Sequence, residues 1–387
     1  MGGSSPDFWP RAHRAPGAEM SLFLYGTLRH LPLLEIVLGH PVGDLVFEDV
    51  GLADYLALSG PDSAYPIITP QPGWQSRGVK VSGLTETDIE RLNYYEGGFG
   101  YELRPFVLTD GDVADVYMPP DDMQADDDIW SLEVWTAQWA ELTCFAAEEV
   151  MSYHGKRSSA DVAKIFPRIR ARAASCLLAQ SGRHGANVMR GKLELIERSR
   201  EYSGFFAFDR VLLKHERFDG GTSDLVEREV FVGTDAAIVL PYDPERDRVL
   251  LVEQIRMGPL ARQDPVLWQM EPVAGLVDPG ETPRETARRE AMEEAGLTFR
   301  QLEPVAEGYA SPGASTDFFH VFVGICDLPD TAAGEGGVVA EGEDIRAHVM
   351  PFDDLLSMAE DRQTANTPVT LLTYWLAHHR ARLRAVS

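Results

Sequence analysis

The stretch Ala274-Gly275-Leu276-Val277-Asp278-Pro279-Gly280-Glu281-Thr282-Pro283-Arg284-Glu285, followed by Arg289-Glu290-Ala291-Met292-Glu293-Glu294-Ala295-Gly296-Leu297, reads as a loop that enters a helix and stops it. Thr282 suits the N-cap, Pro283 the first helical position, and Glu285 stands three residues after Thr282, which completes a capping box. Gly296 supplies the stop. On such a helix Glu290, Glu293 and Glu294 fall three and four residues apart and so share one side, while Ala287, Ala291 and Ala295 allow close packing opposite. Three like charges on one face repel, and only Arg289 stands beside them. Clustered carboxylate oxygens suit a hard divalent cation, which clamps a pyrophosphate and polarises an attacking water.

Around this helix the chain alternates between strand and helix patterns. Upstream, Leu193 to Ile196, Phe205 to Leu213, Val230 to Val232, Ala236 to Leu240 and Val249 to Val252 read as strands. Downstream come strands at Val305 to Gly308 and Phe319 to Val323 and a final helix near Pro368 to Leu383. The first third differs. Short strand-like stretches at Leu22 to Tyr25, Val79 to Leu84, Phe106 to Leu108 and Val113 to Met118 are separated by Gly- and Pro-rich turns. Between these regions, residues 129 to 153 carry Trp130, Trp135 and Trp139 without Gly or Pro and predict a helix whose aromatics pack as core. A second helix opens at Ser158, with Asp161 three residues on, and runs through Arg168 to Arg172. The organisation read here is a loose tail over 1–18, an α+β domain over 19–120, a helical connector over 121–185 and an α/β domain over 190–387.

The bulk properties narrow the function classes. At 387 residues the chain suits two domains, and no apolar run approaches the ~18 residues of a membrane span. A formal net charge of −26 argues against nucleic acid as a partner. It also repels an anionic substrate unless local cations reverse the field. The three cysteines, Cys144, Cys176 and Cys326, lack zinc spacing and fit a reducing cytoplasm. No secretory signal is read in the first residues.

Gly275, Glu281, Arg289-Glu290, Ala291, Glu293-Glu294 and Gly296-Leu297 match the Nudix box in residue type and spacing, with Ala291 a small filler at an aliphatic position. The resemblance extends from about Arg198 to Leu383 and is closest to the ADP-ribose pyrophosphatase branch, through Ser203-Gly204-Phe205-Phe206, Arg228-Glu229, Leu251 to Arg256, Ser311-Pro312-Gly313 and Glu341 to Ile345. It implies an α/β/α sandwich that hydrolyses ADP-ribose, or another nucleoside diphosphate sugar such as GDP-mannose, to AMP and ribose 5-phosphate in the first case. It further implies magnesium, with manganese as the alternative, held by the Ala274 carbonyl, Glu290, Glu294 and Glu343. Glu341 is the implied general base, with Glu293 and Arg289 in the catalytic set. Phe205, Phe206, Arg228 and Glu229 would frame the adenosine, and Arg256 would contact the diphosphate or ribose. Leu276, Ser311, Pro312, Gly313 and Asp317 would line the rest of the substrate site. Two departures stand out: Asp317 in place of a more usual Glu, and Gly233 where relatives carry a basic residue. Members of this branch are homodimers, which implies a dimer through residues 190 to 260.

Near the start, Leu22-Phe23-Leu24-Tyr25-Gly26-Thr27-Leu28-Arg29, with Leu92 to Gly97 and Tyr101 to Arg104, resembles the γ-glutamylcyclotransferase-like family over roughly residues 20 to 120. This implies a small barrel in which Tyr25, Gly26, Thr27 and Leu28 present backbone N–H groups to a carboxylate and Glu96 is the acid/base. The fusion resembles bacterial proteins linked by name to tellurite resistance, a role that no residue explains. The competing readings are a γ-glutamyl cyclotransferase with a nucleotide-sensing second half, and a non-catalytic ADP-ribose sensor. The sensor needs an effector module, and no recognition helix is read in the chain.

Overall fold

A computed structural model describes residues 20–61, 64–181, 191–337 and 344–385. The chain divides into two compact units, Met1–Gln180 and Ser181–Ser387.

In the first unit, strands β1 (Leu22–Leu24), β2 (Val46–Ser59), β3 (Pro66–Ser82), β4 (Glu102–Val107) and β5 (Val113–Met118) form one sheet in the order β2-β3-β1-β5-β4. No pairing closes β2 onto β4 among the described residues, so the expected small barrel is here an open five-stranded sheet. Helices α1 (Leu31–Leu38) and α2 (Glu86–Gly97) pack on it, α2 opened by a Thr85–Asp88 capping box. The segment expected as one helix from 129 to 153 is two, α3 (Leu132–Gln138) and α4 (Ala140–Ser152), broken at Trp139. Trp139 leaves helical geometry at φ −126°. The second expected helix is also two, α5 (Ser159–Lys164) and α6 (Phe166–Gln180), and Ser158 caps the first by accepting from the Asp161 amide. These four helices are part of the first unit's own core. Trp130, Trp135, Leu142, Val150 and Ile169 pack in one cluster with Leu22, Leu33 and Leu92. The Trp135 indole donates to Ala64 O at 2.8 Å.

The second unit builds its main sheet from β9 (Asp235–Asp243), β10 (Arg248–Ile255), β11 (Trp268–Glu271), β12 (Val273–Leu276), β13 (Gln301–Tyr309), β14 (Phe318–Ile325), β15 (Gly334–Gly336) and β16 (Ile345–Pro351). The order is β13-β14-β9-β10-β16-β15, with β11 on β10 and β12 on β9. A strand exposes alternate residues to opposite faces, and the two cores divide accordingly. Ala237, Val239, Leu250 and Val252 meet Ala287 and Ala291 of helix α8 (Pro283–Ala295). Ile238, Leu240, Val249 and Leu251 meet Leu355 of α9 (Phe352–Glu360) and Leu372 and Leu376 of α10 (Thr367–Ala385). The unit is therefore an α/β/α sandwich. At its far end the guanidinium groups of Arg380 and Arg384 on α10 hold Asp247, in the turn between β9 and β10.

A separate three-stranded sheet, β6 (Leu193–Ser203), β7 (Ala207–His215) and β8 (Val226–Val232), stands beside the sandwich. Backbone hydrogen bonds from Phe231 N to Ala314 O and from Thr316 N to Phe231 O join it to the loop before β14. Short helix α7 (Met257–Arg262) follows β10.

Candidate functional site

Helix α8 begins as its residues dictate. The Thr282 hydroxyl accepts from the Glu285 amide, Glu285 accepts in return from the Thr282 amide at 2.7 Å, and Gly296 closes the helix at φ 64°. A capping residue of this kind stabilises a helix by about 1 kcal/mol. Ala287 and Ala291 have no exposed surface, so the helix lies close on β12. That closeness brings Glu290 onto the backbone of Gly275. A Cβ at Gly275 would stand 2.6 Å from Glu290 Cγ and nearer still to its carboxylate. Only a glycine leaves that space, and it lies next to the Ala274 carbonyl in β12.

Glu294, one turn beyond Glu290, is 2% exposed. Strand β15 abuts it, since a Cβ at Gly336 would meet the Glu294 carbonyl carbon at 3.0 Å. Glu293 points outward from the same side. Arg289 ties the group together. Its Nη1 donates to Glu290 Oε1 at 2.6 Å and Glu293 Oε2 at 3.0 Å, its Nε to Glu281 Oε1 at 2.9 Å, and its Nη2 to the Leu276 carbonyl at 3.3 Å. The hydrogen bond to Glu281 holds the guanidinium firmly charged. Burial pushes the Glu281 carboxyl up, but Arg289 and Thr286 more than offset this and leave it below its ordinary value. The repulsion expected among the carboxylates is thus partly relieved by one arginine, and the loop 276–281 is fastened to the helix.

Among the described residues no three His, Cys, Asp or Glu side chains converge as a metal cage. Of the implied metal set, Ala274, Glu290 and Glu294 are described; Glu343 and the implied base Glu341 lie outside the described residues. The donors present, two carboxylates and the carbonyl that precedes Gly275, are hard oxygen ligands and fit a hard divalent cation.

The substrate-side residues fall into three groups. Phe205 and Phe206 stack edge to face at 4.8 Å, and Phe206 packs on Phe231, whose backbone bridges to Ser315. This places the aromatic pair by the loop holding Ser311, Pro312, Gly313 and Asp317. Arg256 is held by Glu271 at 2.6 and 2.7 Å, and Asn366 donates to the other Glu271 oxygen. Arg228 and Glu229 lie further along β8, exposed and paired in register with Val211 and Arg210. The two departures, Gly233 and Asp317, prove to be neighbours. A Cβ at Gly233 would fall 2.8 Å from Asp317 Cγ, while Ser315 Oγ donates to that carboxylate at 2.7 Å.

The first unit carries a cavity of about 290 Å³ whose wall includes Tyr25, Gly26, Thr27, Leu28 and Glu96. All five N-terminal candidates therefore meet at one place. Gly26 has to be glycine, because a Cβ would reach 2.7 Å from Pro66 Cγ. The Tyr25 hydroxyl donates to Tyr117 O, and the Tyr117 hydroxyl to Asn93. Burial pushes the Glu96 carboxyl up to about 7. It also raises the phenols of Tyr25, Tyr95, Tyr101 and Tyr117, which stay protonated around it. Thr143, Phe166 and Arg170 of the helical segment line the same cavity, and the sequence reading did not single them out. Arg170 sat within a basic helical run, Arg168 to Arg172, in which residue type alone distinguishes no member.

Residues 233–371 match the family model described as NUDIX domain. Residues 22–137 match the one described as gamma-glutamyl cyclotransferase, AIG2-like. The ADP-ribose pyrophosphatase of Escherichia coli is 39% identical over 190 residues, covering 49% of this chain and 90% of that protein. With the carboxylate helix seated on an α/β/α sandwich, these findings place the chain in the Nudix family, as a hydrolase of pyrophosphate bonds with a cyclotransferase-like domain ahead of it. Its relatives are similar over the second half. The ADP-ribose pyrophosphatase of Haemophilus influenzae is 34% identical over 196 residues, 50% of this chain and 89% of its own. The GDP-mannose pyrophosphatase of Yersinia enterocolitica is 34% identical over 161 residues, 41% and 83% respectively.

Proposed function

We propose that the second unit hydrolyses the pyrophosphate of ADP-ribose, giving AMP and ribose 5-phosphate. The observation that carries this is the seating of Glu290 on Gly275 with Arg289 locking the loop, set beside two ADP-ribose pyrophosphatase relatives. The Ala274 carbonyl, Glu290, Glu294 and Glu343 would hold magnesium, which when bound would supply charge to offset that of the diphosphate and would make a water more acidic. Glu341 is the general base that takes a proton from the attacking water. Arg289 keeps Glu290 aimed while Glu293, at its outer edge, shares the same guanidinium. Arg256, preset by Glu271, meets the diphosphate or ribose, and its charge counters the repulsive field of an acidic chain. Phe205 and Phe206 stack against the base, and Leu276 and the loop Ser311 to Asp317 line the ribose side. GDP-mannose is the second candidate substrate, on the strength of the third relative.

The test is a magnesium-dependent hydrolysis screen of ADP-ribose, GDP-mannose, NADH and diadenosine polyphosphates, with Glu294→Gln and Glu341→Gln beside the wild type. ADP-ribose cleavage lost in both variants supports the reading. Cleavage of none of them by the wild type, or full turnover by Glu341→Gln, overturns it.

The second unit works as a homodimer. Leu193 and Leu195, 64% and 54% exposed on β6, and the outward Arg228 and Glu229 on β8 suit a surface that a second copy covers. Sedimentation of a monomer alone at micromolar protein would refute this. No helix of the described residues is long and apolar enough to cross a membrane, and Cys144, Cys176 and Cys326, none of them in a disulfide, suit the cytoplasm.

A second reading concerns the first unit, where Glu96 stands in the cavity beside Tyr25 to Leu28 with its carboxyl near neutrality. There Glu96 takes a proton from an attacking amine of a γ-glutamyl substrate and passes it to the leaving amine, releasing 5-oxoproline. Release of 5-oxoproline by the wild type and not by Glu96→Gln supports it, and no release from a broad γ-glutamyl panel overturns it.

A further inference from the structure

The cavity of the first unit is lined by five tyrosines and three phenylalanines, and it carries one acid, Glu96, and one base, Arg170, among the described residues. The acid comes from α2, inside the stretch that matches the cyclotransferase-like family. Arg170 comes from α6, beyond the matched residues 22–137, as do Thr143 of α4 and Phe166 at the start of α6. The helical segment thus contributes to the cavity something that the matched domain does not contain.

Arg170 is held in place. Its guanidinium lies over the Trp139 ring at 5.2 Å, the residue at which α3 and α4 part. Two residues on, Arg172 is turned the other way and buried against Glu149, with Nε to Oε2 at 3.1 Å and Nη2 to Oε1 at 2.5 Å. Helical geometry puts positions 170 and 172 on nearly opposite sides, so the buried ion pair fixes the rotation of α6 and with it the face that carries Arg170. Phe166, one turn earlier, packs edge to face on Phe99 at 4.8 Å and sets the depth of the helix against the cavity.

Charge and size then restrict the ligand. Glu96 and Arg170 enter the cavity wall from different elements, α2 and α6. Arg170 and Tyr95 both line it, and the guanidinium favours the ionised phenol against the larger effect of burial. A space of about 290 Å³ with aromatic side chains in its wall admits a molecule of amino-acid to dipeptide size. One guanidinium neutralises one negative charge there, and a dianion such as phosphate would leave the second uncompensated. A carboxylate matches the guanidinium fork. At the other end a nitrogen group with N–H to donate suits Glu96 and its ring of phenols.

We propose that the helical segment is a recognition element for this cavity: Arg170 binds the carboxylate of a small amino-acid-derived ligand whose nitrogen end lies at Glu96, and so selects which ligands enter. This rests on reading the cavity as a ligand site. The test is titration calorimetry on the full chain with free, N-acetylated and cyclised amino acids, 5-oxoproline included, each beside its own carboxamide. The wild type should bind at least one carboxylate tenfold or more tighter than its amide. Arg170→Gln should bring that pair within about twofold while leaving the amide's affinity unchanged, and Arg170→Lys should keep part of the preference with the same thermal melt. A preference that survives in Arg170→Gln overturns the role of Arg170 and leaves the cavity a ligand site. No binding of any member by a wild-type protein with a normal melt overturns both.

Discussion

Replacing Gly275 by alanine adds one methyl group at the point where helix α8 comes closest to β12. The new Cβ would stand 2.6 Å from Glu290 Cγ, whereas carbon atoms settle at about 3.5–4.0 Å. The Glu290 side chain must therefore retreat by about 1 Å at Cγ, and by more at the carboxylate. Glu290 is partly exposed and can swing outward, so folding stability should change by less than about 1 kcal/mol. Chemistry should not be so tolerant, since a misplacement of about 1 Å in a reacting group costs on the order of 100-fold in rate. That corresponds to about 2.7 kcal/mol of transition-state stabilisation. The assay is kcat/KM for ADP-ribose over a range of magnesium, with a thermal melt of the same preparation. Activity should fall about 100-fold, with the magnesium requirement shifted upward and the melt unmoved. In a Glu290→Gln background the same methyl should cost little more, because its target has already been disabled. Wild-type turnover in Gly275→Ala, or a loss that persists in full without the Glu290 carboxylate, would show that this contact does not position the site.

Gly233→Ala should push Asp317 away from Ser315, because the added Cβ would lie 2.8 Å from Asp317 Cγ. We expect KM for ADP-ribose to rise several-fold with kcat little changed, and steady-state kinetics in which only kcat fell would contradict the placing of Asp317 on the substrate. Glu96 predicts a pH effect on stability. Burial raises its folded pKa to about 7 from an unfolded value of 4.5, so the folded chain holds this proton more tightly. The stabilisation is complete below about pH 4.5 and is lost as pH rises through 7, for a total of up to about 3 kcal/mol. Glu96→Gln should therefore gain on the wild type between pH 5 and 8 in denaturant titrations, and parallel pH dependences for the two proteins would rule the buried acid out. Arg289→Met should leave Glu281, Glu290 and Glu293 without their shared guanidinium. A loss of kcat of at least 10-fold, partly restored by Arg289→Lys, is expected in the ADP-ribose assay.

The carboxylate helix was legible because every local signal agreed. Thr282, Pro283, Glu285 and Gly296 all occupy the positions their chemistry predicts, and Ala287 and Ala291 face the sheet. The strand at 236–240 was legible as well, and its alternate residues serve the two cores. Elsewhere tertiary packing overrode local preference. Nothing in residues 129–153 marks Trp139 as a break, yet its backbone leaves helical geometry there and its ring lies under Arg170. Strand β3, of 17 residues, was read only from Val79 onward because Pro70, Pro72, Gly73 and Gly78 argue against a strand before it, and its partner β2, of 14 residues, went unread with it. The first part of β3 pairs only with β2 among the described residues, and prolines are tolerated on an unpaired side. The cavity's phenols and Arg170 could not be found by spacing, since they lie far apart in the chain and only the fold gathers them.

The hold of Arg380 and Arg384 on Asp247 has a consequence for how the protein is made. Asp247 waits for Arg380, which lies 133 residues further along the chain, to leave the ribosome. Leu372 and Leu376, which complete the same face of the sandwich, also arrive late. The core of the first unit, by contrast, is fully synthesised once Leu177 has been added. Domains fold as units and in order of emergence. The nascent chain therefore carries a finished first unit while one face of the second sheet still lacks its cover, and this interval is when the protein most needs protection from aggregation.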